Sequence, residues 1–412
     1  MDPCSLERKP LLTVAEAMAR ILAAIKPLQE TETLALGQSL GRVLAQPVYA
    51  AIPLPYERNA AMDGYALNSQ AIQAQPFGLT LAGTSWAGKP YQGTAGVQNC
   101  VRIFTGAVVP AFADTVVIQE RVIVDGDQIH FPGGLLAEEN IRAAGEDVQV
   151  GQMLCPVGKK LSATDLGFLA AAGVAKVVVK RLPKIVFFAT GDELLSLGET
   201  ITSGKIYDSN SYLLASLLTE QGYQADNGGI LADDAELLLD TLTTAANNYD
   251  VIITTGGASV GDADHIQTVL SRCGQVDFWK IAIKPGKPLA FGNIGACHFF
   301  GLPGNPAAVQ ITFQQLLAPA LVQLSGADLR QPLRIKATCT TALRKQPGRL
   351  EFQRGVLSQV SDGNFSVSAS RKQGSHILST LSTANCAIIL AADCSGVAVG
   401  EVVMVEPYSI WL

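Results

Sequence analysis

The residues whose types and spacing suit chemistry gather between 250 and 308. DVIITTGGASVGDADH, FWKIAIKPGKPLAFG and HFFGLPGNPAA follow one another there. Each contains a short apolar run leading to a glycine-rich loop, whose backbone N–H groups can receive an anion. Gly256, Gly257 and Gly261 permit close backbone approach, and Ser259 adds a hydroxyl. Asp262 and Asp264 stand two residues apart, a carboxylate pair usable by Mg²⁺. Lys284 and Lys287 frame the turn of KPGKP as point-charge phosphate binders. Strand alternation through 280, 282 and 284 puts Lys280 on the same side. In GLPGNP, Pro303 and Pro306 shape a loop whose Gly304 and Asn305 lead into a helix N-terminus, where the dipole favours an anion. The combination points to a phosphate-bearing ligand with Mg²⁺. It is not a Walker loop, because no G-x-x-x-x-G-K-[ST] occurs.

Other polar groups are weaker signals one by one. TGDEL places Asp192 and Glu193 after a buried strand, where polar residues often only cap a helix. Asp63 in NAAMDGYA, Thr105 in IFTGAVVP and Asp147 in RAAGEDV sit in glycine turns after apolar or proline-broken runs. The tail supplies Arg349 and Arg354 in RLEFQRG, and Ser375 and His376 in QGSH. An arginine on a strand is more often a surface partner than a catalyst. The four histidines make no H-x-x-x-H pattern and no G-x-S-x-G occurs, which removes zinc-protease and serine-hydrolase readings.

These groups need elements to hold them. Thr13 and Glu16 form a T-x-x-E capping box that opens an amphipathic helix over 12–28. A second short helix is expected over 36–44. From 47 to 151 short β-rich runs alternate with glycines, as in a small β domain. SATDLGFLAAAGVAKVVVK then gives a helix over 164–172 and a strand. If 47–151 is an insertion, 1–46 and 152–182 form one discontinuous domain around it. From 183 to 329 strands and helices alternate, which implies a mostly parallel sheet with helices on both faces and ligands at strand carboxyl ends. Asp208 or Ser209 is expected to cap one of its helices, and Asp233 the next, with Glu236 completing a D-x-x-E box. Residues 330–412 return to strands separated by turns, as in a small barrel.

Composition sets the limits. A chain of 412 residues exceeds the size at which one core keeps growing, so three or four domains are expected. With 48% hydrophobic and 16% charged residues it can bury a large core. A formal charge of −6 argues against nucleic acid as main partner. Eight cysteines without a C-x-x-C pair read as buried free thiols, which suits a reducing cytoplasm. The stretch MDPCSLERKPLL has no long apolar core, so no signal peptide is expected, and no uninterrupted apolar run approaches a membrane span.

Taken in order, MDGYA, TGA, GED, TGDEL, TGGASVGDAD, KPGKP, GLPGNP, FQRG and QGSH resemble the molybdopterin molybdenumtransferase (MoeA) family, which includes the gephyrin E domain. The resemblance covers nearly the whole chain. It implies an elongated homodimer of four-domain subunits: discontinuous 1–46 plus 152–182, an inserted β-rich domain 47–151, a molybdopterin-binding α/β domain 183–329 and a C-terminal β barrel 330–412. The implied reaction is Mg²⁺-assisted insertion of molybdenum from molybdate into adenylylated molybdopterin, with release of AMP. Carried over by position, Glu193, Asp233 and Asp264 are carboxylates of the α/β domain, Lys280 and Lys284 its basic partners, and Pro303 and Pro306 loop formers. Asp63, Thr105 and Asp147 come from the N-terminal half, closing a composite site in the dimer; Arg354 and Ser375 match tail positions near the ligand. On charge grounds Asp262, Asp264 and Glu193 are the expected metal carboxylates. Contacts with other proteins of cofactor biosynthesis are also implied. Ala60 and Ala258 depart from the family pattern. Rival readings are the adenylyltransferase that makes the adenylylated pterin, which leaves 1–182 and 330–412 unexplained, and a gephyrin-like scaffold.

Overall fold

The computed structural model describes residues 11–256 and 265–409. The chain divides into two compact units, Met1–Glu32 with Lys180–Leu412, and Thr33–Val179.

The first unit is built on a six-stranded mixed sheet. Ala225–Leu231, Ile185–Thr190, Val251–Thr255 and Cys297–Leu302 run parallel; Pro288–Ile294 and Gln275–Lys280 complete one edge antiparallel. The alternation of a buried strand is visible in its core. Ile185, Phe187, Val251 and Ile253 pack on one face with Ile21, Leu214 and Leu317, while Val186, Phe188 and Ile252 pack on the other with Leu238, Leu242 and Val269. Each such side chain contributes about 1.5–3 kcal/mol of burial. The expected parallel sheet with helices on both faces is thus present, with an antiparallel edge.

Val14–Ala24 carries the expected capping box, with Thr13 Oγ1 accepting from the Glu16 N–H at 3.2 Å. Asp208 Oδ1 accepts from Ser211 N–H at the start of Asn210–Glu220. Ala235–Ala246 corrects the sequence reading: its cap is Asp234, which accepts from the N–H groups of Glu236 and Leu237. Glu236 instead pairs with Arg272 at 2.6 Å. Pro306–Leu324 begins with Pro at its first turn and passes through a wide turn at Phe313–Leu317. Pro319 follows, and its missing N–H and ring are incompatible with an unbroken α ladder there. By length and composition this 19-residue helix could cross a membrane, but most of it is buried in the protein core.

At the base of the Val251–Thr255 strand, Asp250 is gripped by Arg181 through two bonds of 2.6 and 2.9 Å and by the Lys184 N–H at 2.7 Å. Burial pushes the Asp250 carboxyl up, yet the guanidinium and N–H bonds outweigh it and hold it below the usual range. A depressed carboxyl stabilises the fold above its unfolded pKa of about 3.9, and that stability is lost as pH falls through the folded value. Asp250→Asn is therefore expected to cost about 2 kcal/mol at neutral pH. In urea unfolding the gap to wild type should close below about pH 4.

Residues 335–407 form a closed barrel. Leu350–Gln359, Phe365–Ala369, Ile335–Cys339, Val402–Pro407 and Cys386–Leu390 are neighbours in that order, and Cys386–Leu390 pairs back onto Leu350–Gln359. Ile283–Lys284 adds to Leu350–Gln359 in parallel.

The second unit holds a six-stranded sheet in which Gly64–Leu67 lies between Asn99–Ile103 and Thr115–Ile118. Ala163–Ala171 begins at a Ser162–Asp165 capping box. The helix expected over 36–44 is absent: a single 3₁₀ turn, Leu36–Gln38, is followed by turns through Gly41, whose φ of +73° leaves the helical region.

Candidate active site

Three strand ends of the mixed sheet meet at a cavity of about 1010 Å³, all within the first unit. Thr190, Gly191 and Glu193 line it from the first strand, Gly256 from the second, and Pro303, Gly304 and Asn305 from the third. The glycines have a physical reason. Gly256 has φ +92°, and a Cβ there would sit 2.4 Å from the Thr190 carbonyl oxygen. The GLPGNP loop is fixed by Asn210, whose Nδ2 donates to the Gly304 carbonyl at 2.7 Å. Asp233 joins the lining because the cap role falls one residue later; its N–H donates to Asp192 Oδ1 at 3.2 Å.

The remaining wall comes from KPGKP and the barrel. Lys284, Pro285, Gly286, Lys287 and Pro288 line the cavity with Arg349, Glu351, Phe352 and Gln353. Gly286 has φ +111°, with space limited by Thr312 Cγ2 at 2.7 Å from any added Cβ. Arg349 Nη1 donates to the Ile283 carbonyl at 3.3 Å, and Lys284 Nζ lies 3.1 Å from Glu351 Oε1. One cavity therefore holds Glu193, Asp233 and Glu351 together with Lys284, Lys287 and Arg349.

Gln373, Gly374 and Ser375 close the lining as a strap held by Arg354. Arg354 is buried, and its Nη2 donates to the carbonyls of Lys372 at 3.0 Å and Gly374 at 2.9 Å. Gln373 answers: its Oε1 accepts from Arg354 N–H, and its Nε2 donates to the carbonyls of Arg354 and Ser370. Burial lowers the Arg354 pKa. The Ser375 carbonyl accepts from Ala307 N–H at 3.3 Å, tying the strap to the helix start.

Of the residues singled out from sequence, Glu193, Asp233, Gly256, Lys284, Lys287, Pro303, Gly304, Asn305 and Ser375 line this cavity. Pro306 starts the adjoining helix and Arg354 acts behind the wall. Lys280 is not in the lining. Gln275–Lys280 belongs to the mixed sheet, whereas Ile283–Lys284 pairs with the barrel, so the chain changes sheets between them and alternation does not carry across. Gly257, Ser259, Gly261, Asp262 and Asp264, with Ala258, lie outside the described residues. Among the described residues no group of three or more His, Cys, Asp or Glu is arranged to hold a metal.

In the second unit Asp63 and Thr105 meet: Asp63 Oδ1 accepts from Thr105 N–H and Oγ1, both at 2.8 Å. These bonds, with Arg102 nearby, hold the Asp63 carboxyl below its usual range. Arg102 also lies over the rings of Tyr65 and Phe104. Asp147 is exposed in its turn, its N–H donating to the Leu54 carbonyl at 3.0 Å.

Sequence reasoning passed over Glu351, Gln353 and Gln373, and took Arg349 for a surface residue. One signal was available for the first two. Glu351 and Gln353 alternate along the Leu350–Gln359 strand and so share a face, and two polar residues facing one way on a barrel strand call for polar partners there. Gln373 gave no such signal, because its role is to mimic a strand partner for Arg354.

Three family profiles match in chain order: the MoeA N-terminal region (domain I and II) over residues 12–173, a probable molybdopterin binding domain over 187–323, and the MoeA C-terminal region (domain IV) over 336–408. A molybdopterin molybdenumtransferase of Haemophilus influenzae is 38% identical over 401 residues, 97% of this chain and 99% of that protein. One from Nostoc is 34% identical over 346 residues, covering 82% and 79%. The crystal structure of a molybdopterin biosynthesis moeA protein from Pyrococcus horikoshii superposes with a TM-score of 0.83 at 29% identity, covering 97% of this chain and all of that one.

Proposed function

The chain belongs to the MoeA family of molybdopterin molybdenumtransferases, and from that premise we propose that it inserts molybdenum from molybdate into adenylylated molybdopterin and releases AMP. It is a transferase of molybdenum cofactor biosynthesis. The observation that supports the finer reading is the charge make-up of one cavity: three carboxylates and three cations gathered where the carboxyl ends of the parallel strands meet KPGKP and the barrel.

The substrates are a polyanionic anhydride and a dianion, so their approach is opposed by repulsion. Lys284, Lys287 and Arg349 offer positive charge to their oxygens, in a cavity where preorganised charges act more strongly than in water. Ser375, on the strap held by Arg354, adds a hydroxyl and presents it without a search through loop conformations. The GLPGNP loop places the start of Pro306–Thr312 beside the same cavity, where its dipole favours a negative oxygen.

The cavity's oxygen-only acidic donors, Glu193 and Asp233, suit Mg²⁺. Glu193 would hold it together with Asp262 and Asp264. A bound Mg²⁺ supplies charge neutralisation at phosphate oxygens. We carry the cytoplasmic homodimer and the contacts with other biosynthetic proteins as parts of the same proposal, and the contribution of Asp63, Thr105 and Asp147 belongs with the dimer.

The test is a reaction with purified protein, Mg²⁺ and adenylylated molybdopterin. AMP release that depends on added molybdate, together with activation of a cofactor-free molybdoenzyme, is the expected result. Adenylylation of molybdopterin from ATP without molybdate would favour the adenylyltransferase reading. Capture of receptor tails without turnover would favour the scaffold.

A further inference from the structure

Resting on the reaction proposed above, we infer that Glu351 is a positioning residue: it fixes the Lys284 ammonium in the cavity and gives up some grip on the oxyanion for its correct placement. Glu351 and Lys284 are in-register partners on paired parallel strands, and their charged atoms lie 3.1 Å apart. The two sides of the pair differ. The Glu351 side chain is 6% exposed and that of Lys284 is 51% exposed. The carboxylate is thus anchored in the wall, and the ammonium has a free side toward the cavity.

Glu351 is itself braced. Gln353 Nε2 donates to Glu351 Oε1 at 3.0 Å and to the Arg344 carbonyl at 2.9 Å, and Gln353 is also buried. The barrel flanks this pair: Leu390 and Ile388 of its core are the in-register neighbours of Glu351 and Gln353 in the closing ladder. A buried carboxylate is costly unless paired. Glu351's side-chain bonds go to two cavity-lining residues, Lys284 and Gln353, so its role is directed at the cavity. Lysine is a flexible point charge that loses rotamer freedom when fixed, and the ion pair supplies that fixation before the substrate arrives.

Glu351 also subtracts one charge from a wall bearing Lys284, Lys287 and Arg349. Without it, the dianion meets a more positive but less ordered set of donors. Affinity and turnover should then move in opposite directions, which loss of structure would not produce.

The test uses Glu351→Gln, which keeps the shape and the hydrogen bond to Gln353 but removes the charge. Molybdate binding by calorimetry is expected to tighten about threefold, while kcat falls about tenfold or more. Melting should change little, because the charge left unpaired is on the half-exposed lysine. Glu351→Asp should regain part of the lost kcat. In a Lys284→Ala background Glu351→Gln should cost no further kcat, because no ammonium is left there to place. Wild-type turnover in Glu351→Gln, or an equal loss of kcat that persists without Lys284, overturns the inference. A parallel loss of affinity, turnover and melting temperature also overturns it, by making the role structural. If the wild type binds molybdate but forms no product, the reaction reading falls alone, and the NMR signals of the Lys284 side chain, ordered in wild type and averaged in Glu351→Gln, then decide the role of Glu351; equal order in both overturns it.

Discussion

Glu193→Gln is expected to lower molybdate-dependent turnover on the order of a hundredfold or more, the scale seen when one preorganised electrostatic group is lost from a site. The substitution keeps size and polarity and removes only the charge. Glu193 is exposed and lines the cavity after the Ile185–Thr190 strand, so its replacement leaves no buried group unpaired. Thermal unfolding should therefore be nearly unchanged. Steady-state kinetics with molybdate varied, beside a melting curve, separates the two effects. Turnover within about threefold of wild type would remove Glu193 from the chemistry, because a group that neutralises charge in the transition state cannot be lost so cheaply.

The largest effect on the fold is expected from Gly256→Ala. The position combines φ +92° with a Cβ site 2.4 Å from the Thr190 carbonyl oxygen. That atom is backbone of the adjoining strand and cannot swing away as a side-chain tip would. Either the two strands separate at their carboxyl ends or the turn is rebuilt, and both disturb Thr190 and Gly191 in the cavity wall. A loss of about 3 kcal/mol or more in denaturant unfolding is expected, since steric and backbone strain coincide. Activity should fall with it. An unfolding midpoint matching wild type would mean that the chain has another way past Thr190.

How far the sequence carried this picture depends on range. Gly256, Lys284, Lys287 and the GLPGNP loop were legible because strand, turn and helix start are local, and each loop announces itself within a few residues. The capping box at Thr13 was local in the same sense. Asp233 shows how fine the margin is: Asp233 and Asp234 are adjacent, either suits a helix cap, and the backbone chose the second, leaving the first for the cavity. Lys280 stands outside the cavity lining for the opposite reason. Alternation holds only while a strand stays in one sheet, and nothing in FWKIAIK announces that the chain leaves the mixed sheet for the barrel. Arg354 and Gln373 were the least legible. Their bonds span about twenty residues and serve to hold a strap, which composition and spacing do not encode.

On the proposed function, the cavity between KPGKP, the sheet's strand ends and the 372–375 strap receives molybdate. The most direct measurement is a crystal of the wild-type protein soaked with molybdate, with molybdenum located by its anomalous signal. A peak is expected inside this cavity, within contact distance of Lys284 or Lys287. A peak confined to another part of the molecule, in a crystal of protein that still turns over, would contradict it.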